Sequence, residues 1–346
     1  MKNKRFAIIA LMPLLFSCSG PLATAGHVIE MNASGDEDFN VLQFTDIHWN
    51  YSTNIKEASA FLTNTVNVAK ARAGHIDLIE ITGDSLLIAN KKIATTLYDL
   101  VESWGIPWAF TFGNHDYEGE WSEAWMNNFV SSSKYEHALL PEAVNKEDDV
   151  DGFSNYVINV KRGDKVEWQI YNIDTHNLVE EFGSYDYDFI HENQVKWYEE
   201  EAQLAKQNNG GTSVPSIAFF HIPPTDIYDF EKDGTLVGGI KDEKFCPGEH
   251  ASEFVKVAKE NNCRGMFFGH DHSNDIVWKK DNVVFGYGVK ANTELYSTEK
   301  DGISITGCAI YTLHKESNKF DLEHLIVDYD DMEKGPSALT WKEVNL

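Results

Sequence analysis

The chain predicts an α/β fold built on a mixed sheet. Short apolar runs rich in β-branched and aromatic residues recur along it, segments of helical spacing fall between them, and one tight turn joins two neighbouring runs. Strand-like runs occupy 41–45, 78–82, 108–112, 157–160, 166–173, 217–220, 266–268, 283–287, 308–313 and 322–328. Each has the length and composition of a strand. Helical spacing marks 55–71, 93–104, 193–207 and 249–261. In 193–207, Val195, Tyr198 and Ala202 share a face, Leu204 is less well aligned, and Glu199, Glu200 and Glu201 are expected toward solvent. Helices therefore flank sheet. Arg162-Gly163-Asp164-Lys165 reads as a hairpin turn, which makes its two strands antiparallel and the sheet mixed.

Residues 39–346 contain no repeat or long linker, and 346 residues with 42% hydrophobic content suffice for one substantial core, so a single catalytic domain is expected. Segment 117–151 is polar and carries a charged run at 146–151, with Trp121, Trp125 and Tyr135; it reads as an insertion beside the site. Trp121 and Trp125 are read as packing one helix face, in preference to touching substrate.

The balance of 29 basic against 55 acidic residues leaves −26, which repels polyanions and argues against a nucleic-acid backbone as partner. Any affinity for phosphate must be local.

At the N-terminus, Lys2, Lys4 and Arg5 precede an apolar run over 6–16, an export signal too short to span a bilayer as a helix. Leu15-Phe16-Ser17-Cys18 resembles the bacterial lipobox. Residues 1–18 are thus expected as a signal with a lipidated Cys18, 19–38 as a flexible tether, and the protein as lipid-anchored at the cell envelope. Cleavage near Ala23-Thr24-Ala25 would give a secreted protein instead. Cys246, Cys263 and Cys308 define no disulfide framework, and the last two read as small buried thiols.

Four clusters carry the chemistry: Asp46-Ile47-His48, Gly83-Asp84, Gly113-Asn114-His115-Asp116 and Gly269-His270-Asp271-His272. Each follows a strand-like run, as does a lone His221. Loops after strand carboxyl ends converge on one edge of layered α/β folds, so these groups are expected to meet. Carboxylates, imidazoles and an amide carbonyl suit a pair of first-row metal ions, which can clamp both oxygens of an in-line phosphoryl displacement. Singly, Asp46 is a turn residue, Asn114 a loop residue and His221 a histidine pinned by Pro223-Pro224. Jointly, burying them is costly without partners, and metal ligation supplies the partners.

This ordered set resembles the calcineurin-like metallophosphoesterases over residues 39 to about 290. The resemblance implies a two-sheet β-sandwich flanked by helices in α-β-β-α layers. It implies that Asp46, His48 and His272 hold one metal, that Asn114, His221 and His270 hold the other, and that Asp84 bridges them. A hydroxide shared by the two ions would attack phosphorus. His115 resembles the family's non-ligand histidine that serves the leaving oxygen or the phosphoryl group, and Asp116 would orient it.

His221-Ile222-Pro223-Pro224 and the Gly-Tyr-Gly around Tyr287 look most like the branch related to purple acid phosphatases. Leu87 stands where that branch's chromophoric members have a tyrosine, and His48 where they have no histidine, which puts the ferric-tyrosinate site in doubt. Iron, manganese, zinc and cobalt all suit the ligands. The implied activity is hydrolysis of a small phosphoester, with monoesters preferred. Phosphodiesterase action on cyclic nucleotides, glycerophosphodiesters or lipid headgroups is the second reading, and a noncatalytic metal-binding surface lipoprotein the third. Lys290 is a candidate for meeting phosphate charge, against its reading as a surface lysine. Among histidines outside the motifs, His176 alone is placed near the site.

Overall fold

The computed structural model describes residues 27–33, 35–141, 150–181, 184–292, 299–300, 303–327 and 339–344. One sheet has eight strands, in the order β1 (Val28–Asn32), β5 (Tyr156–Arg162), β6 (Lys165–Asn172), β9 (Ser216–Phe219), β11 (Cys263–Phe268), β13 (Val283–Tyr287), β12 (Val277–Lys280) and β10 (Thr235–Gly238). The other has six: β18 (Leu339–Val344), β17 (Phe320–Val327), β16 (Gly307–Leu313), β2 (Phe39–Phe44), β3 (Leu78–Thr82) and β4 (Trp108–Thr111). Two short hairpins stand apart, β7 (Leu178–Glu181) with β8 (Ser184–Tyr187), and β14 (Glu299–Lys300) with β15 (Ile303–Ser304). The expected mixed α/β sandwich is what forms.

Strand alternation sorts the core into layers. Ile217, Phe219 and Phe267 join the cluster shared with the six-stranded sheet, while Ala218, Phe220, Met266 and Phe268 face the opposite way, onto a second cluster. Phe267 and Phe219 meet Tyr311 of β16 at 4.4 and 5.3 Å between ring centroids. The first cluster also takes in residues of α1 (Ile55–Ala73) and α2 (Lys91–Ser103). The second takes in α4 (Glu192–Asn208), α5 (Ile227–Asp233) and α6 (Phe254–Glu260). Both faces of the eight-stranded sheet are therefore covered at its centre, which is why the central strands β9, β11 and β13 read as apolar runs.

Within the two sheets β2, β3 and β4 run parallel, as do β6, β9, β11 and β13. Their carboxyl-end loops line one edge of the sandwich, where the motifs lie. The turn at Gly163-Asp164 joins β5 to β6 antiparallel, with Gly163 at φ 62°.

Four expectations need correction. The tether expected over 19–38 is not one throughout, because Val28–Asn32 pairs in parallel with β5 as an edge strand. Helix α6 begins at Phe254 rather than near 249, with Ser252 Oγ accepting from Phe254 N at 3.2 Å. Glu201 is 6% exposed, turned inward while Glu199 and Glu200 face solvent. Trp121 precedes α3 (Glu123–Val130), so it shares no helix face with Trp125, yet the rings stack at 5.7 Å and pack against the first cluster. Residues 142–149 of the 117–151 segment, and all of 1–26 including Cys18, lie outside the described residues. Cys263 and Cys308 are buried free thiols, and Cys246 is an exposed one. Among the described residues no helix is long and apolar enough to cross a membrane.

Candidate metal centre

The loops after β2, β3, β4, β9 and β11 meet, and their backbones are held in unusual conformations. Asp46, His48, Asp84 and His270 all have positive φ, 54°, 50°, 48° and 77°. Such conformations cost about 1–3 kcal/mol each for residues other than glycine and cluster where side chains must be aimed. The chain holds them with hydrogen bonds: Asp46 N and His48 N donate to Gly83 O and Asp84 O at 3.2 and 2.9 Å. His270 N reaches across to Asp46 Oδ1 at 3.1 Å, tying the two sheets' loops together. Glycine is needed behind the ligands. A Cβ on Gly113 would collide with the backbone and carboxylate of Asp84, and one on Gly83, at φ +75°, with the His221 ring.

Donor atoms of Asp46, His48, Asp84 and His272 lie within 4.8 Å of one another, as do those of Asp84, His221 and His270, so Asp84 belongs to both groups. His48 Nε2 is 2.9 Å from His272 Nε2 and 3.4 Å from Asp84 Oδ2. His272 Nε2 is 3.2 Å from Asp46 Oδ1, and His221 Nε2 is 3.1 Å from Asp84 Oδ2. Apart from these imidazole–carboxylate contacts, Asp84 Oδ2 and His221 Nε2 make no hydrogen bond, and the Oδ1 of buried Asn114 makes none. Buried polar atoms seldom stay unpaired. Lone pairs gathered around a common point are what a cation requires, so this donor set fits a pair of metal ions.

The electrostatics agree. Burial works to lower the His221 imidazole, but the Asp84 carboxylate overrides it and holds the ring up to about 10. Burial, reinforced by the charge on His221, drives His270 down to about 3. Burial likewise pushes the Asp84 carboxyl up, and the facing His221 charge outweighs it and holds it below its ordinary range. A dication would take over the countercharge role that protons play here.

The geometry and a family match point the same way: a model of the calcineurin-like phosphoesterases matches residues 39–274.

The chain belongs to the calcineurin-like phosphoesterase family. It is a metallophosphoesterase, a hydrolase acting on phosphoester bonds. It is 25% identical over 287 residues to "Probable inactive purple acid phosphatase 14" of Arabidopsis thaliana, covering 71% of this chain and 69% of that one. It is 23% identical over 307 residues to "Phosphatase DCR2" of Saccharomyces cerevisiae, covering 80% of this chain and 51% of that one. A dimetal phosphatase from Danio rerio superposes with a TM-score of 0.53 at 12% identity, over 90% of this chain and all (100%) of that one, which shows a shared fold.

Around the phosphoesterase site, three residues differ from the reading of the sequence. Asp116 does not orient His115. Its carboxylate points inward and accepts from Gly113 N, Ser85 Oγ and Leu86 N at 2.9, 2.7 and 3.2 Å, bracing the Asp84 loop against the Asn114 loop. His115 lies at the half-exposed lip, 5.2 Å from the His48 ring, and its Nδ1 is paired with Glu118 Oε2 at 2.8 Å. The signal for that pairing is the spacing, since residues i and i+3 eclipse in the 3-10 turn Asn114–Glu118. Lys290 is not a surface lysine: it is 3% exposed, and its backbone pairs with Thr45 beside Asp46. His176 sits one strand over, after β6, outside both donor groups.

Proposed function

We propose that this metallophosphoesterase hydrolyses phosphomonoesters at a binuclear metal centre held by Asp46, His48, Asp84, Asn114, His221, His270 and His272. The observation that supports this reading is that Asp84 belongs to both donor groups, so its carboxylate would serve both ions. Bound as a pair, the ions supply Lewis acidity and lower the pKa of water enough to yield a nucleophile near neutral pH.

The chain's own residues do the rest. Glu118 Oε2 accepts a hydrogen bond from His115 Nδ1–H, so that the protonated ring would hand its Nε2 proton to the departing alcohol oxygen and keep the one on Nδ1. Lys290 supplies a buried cation on the same edge, suited to the extra negative charge that a monoester carries. Asp116 keeps the two central loops in register. Leu87 stands three residues after Asp84, so no tyrosinate joins the ligand set there, and iron, manganese, zinc and cobalt are the ions to reconstitute. The signal and lipobox over 1–18 support display on the cell envelope.

The experiment is a comparison of p-nitrophenyl phosphate with bis-p-nitrophenyl phosphate before and after metal stripping. Turnover of the monoester lost on chelation and regained with added ions supports the proposal. Faster turnover of the diester shifts the substrate class, and activity indifferent to chelation overturns the metal-dependent reading.

A further inference from the structure

A second cluster of ligating side chains stands on the rim of this edge and shares no residue with the first. A ring nitrogen from each of His176 and His191 and a carboxylate oxygen of Asp188 lie within 4.8 Å of one another. The three come from two segments: His176 from the loop after β6, and Asp188 and His191 from the short connection between β8 and α4. The two imidazole rings stack at 4.5 Å and 30°. We propose that His176, Asp188 and His191 form a third metal site, for a divalent first-row ion such as zinc.

Each ligand is pre-aimed by a group behind it. His191 Nε2 is 2.9 Å from Asp188 Oδ1, while its Nδ1 is held by Asp151 Oδ2 at 2.7 Å. A carboxylate on the far nitrogen is the arrangement that fixes tautomer and ring orientation in metal-binding histidines. His176 Nε2 lies 3.2 Å from Gln194 Oε1. The His176 backbone sits at φ 60°, and its N–H donates to Asp174 Oδ1 at 2.9 Å. Asp174 is itself buried and accepts from Phe153 N at 2.8 Å and Tyr117 Oη at 3.0 Å. A strained residue held this firmly is one whose side chain must point in a set direction.

Donors of a tetrahedral ion at about 2.1 Å stand about 3.4 Å apart, within the span seen here. Two imidazoles and one carboxylate suit zinc, iron or manganese, and the partly exposed His191 side leaves an approach for water to complete the shell. The ion would fasten the β7–β8 hairpin to the domain. Tyr187, next to Asp188, packs edge-on to His270 at 4.2 Å, and Ile222 N donates to Thr175 Oγ1 at 3.0 Å beside His176. The rim site thus steadies the loops that carry His221 and His270.

The test is zinc content per chain, by mass spectrometry, after full-length protein is loaded with zinc and desalted. His176→Ala/His191→Ala and Asp188→Asn should each hold one zinc ion fewer than the parent. The Asn variant keeps an acceptor for Phe189 N, and circular dichroism checks that both variants fold. Zinc should also slow amide exchange over the β7–β8 hairpin in the parent and not in the variants. Equal zinc in parent and both folded variants would leave only an ion-pair cluster and overturn the proposal. The outcome is separable from the binuclear reading: if Asp84→Asn loses no zinc while the rim variants do, the rim site stands and the binuclear centre fails.

Discussion

His115 and Glu118 face one another across a single 3-10 turn, Nδ1 to Oε2 at 2.8 Å, at the exposed lip of an otherwise buried cluster. Asp116, between them in sequence, turns the other way and is wholly buried. One short turn therefore separates two tasks: the outward pair is the one proposed to handle a proton, and the inward carboxylate braces the loops.

Glu118→Gln should lower kcat for the monoester about tenfold, and His115→Ala about a hundred- to ten-thousand-fold, with metal content unchanged in both. Steady-state kinetics beside metal analysis checks this. Loss of metal in the His115 variant would instead place that ring among the ligands.

Asp84→Asn should cost both rate and metal. Removing the carboxylate shared by both donor groups is expected to cut hydrolysis by at least about a hundredfold and to lower the retained metal. Titration with manganese or zinc, followed by activity, reads both effects at once.

Gly113→Ala tests the packing behind that carboxylate. The added methyl meets Asp84, so hydrolysis should fall about ten- to a hundredfold while the far-ultraviolet spectrum stays that of the parent. An unchanged rate would show that the loop relaxes freely.

Lys290→Met separates the two ester classes. Losing a charge-assisted contact should raise KM for p-nitrophenyl phosphate by about tenfold, and move KM for the diester much less. Equal effects on both substrates would assign Lys290 to structure alone.

Glu80 offers a stability test away from the metals. It is fully buried in β3, and burial pushes its carboxyl well above the ordinary 4.5, with the Asn172 amide donating at 2.6 Å and pulling the other way. Above pH 4.5 the unfolded chain releases a proton that the folded chain retains, so stability falls as pH rises toward the raised value. Glu80→Gln should therefore match the parent in acid and gain about 1–3 kcal/mol over it at higher pH, read by urea unfolding across a pH series.

The local signals are legible in the amino-acid sequence by itself. Apolar runs of strand length, the two-residue turn at Gly163-Asp164 and the short Asp, Asn and His motifs depend on neighbours in sequence, and they predict a mixed sheet flanked by helices and the residues that meet at its edge, while the two-sheet sandwich follows from the family resemblance those motifs carry. The glycines at 83 and 113 stand in those motifs too, although their reason, close approach of a neighbouring loop, is tertiary.

What only the folded chain decided is what depends on distant partners. Val28–Asn32 became a strand because β5 offered an open edge, and Glu201, at the end of a run of charges, and Lys290 were drawn inside by surroundings set across the fold. The inward turn of Asp116 and the meeting of His176, Asp188 and His191 also arise from contacts across loops. Periodicity records which face of an element is apolar, because burial repeats along that element. It carries no record of which loop will stand opposite, because that follows from strand order and layer packing, and only the tertiary structure sets those.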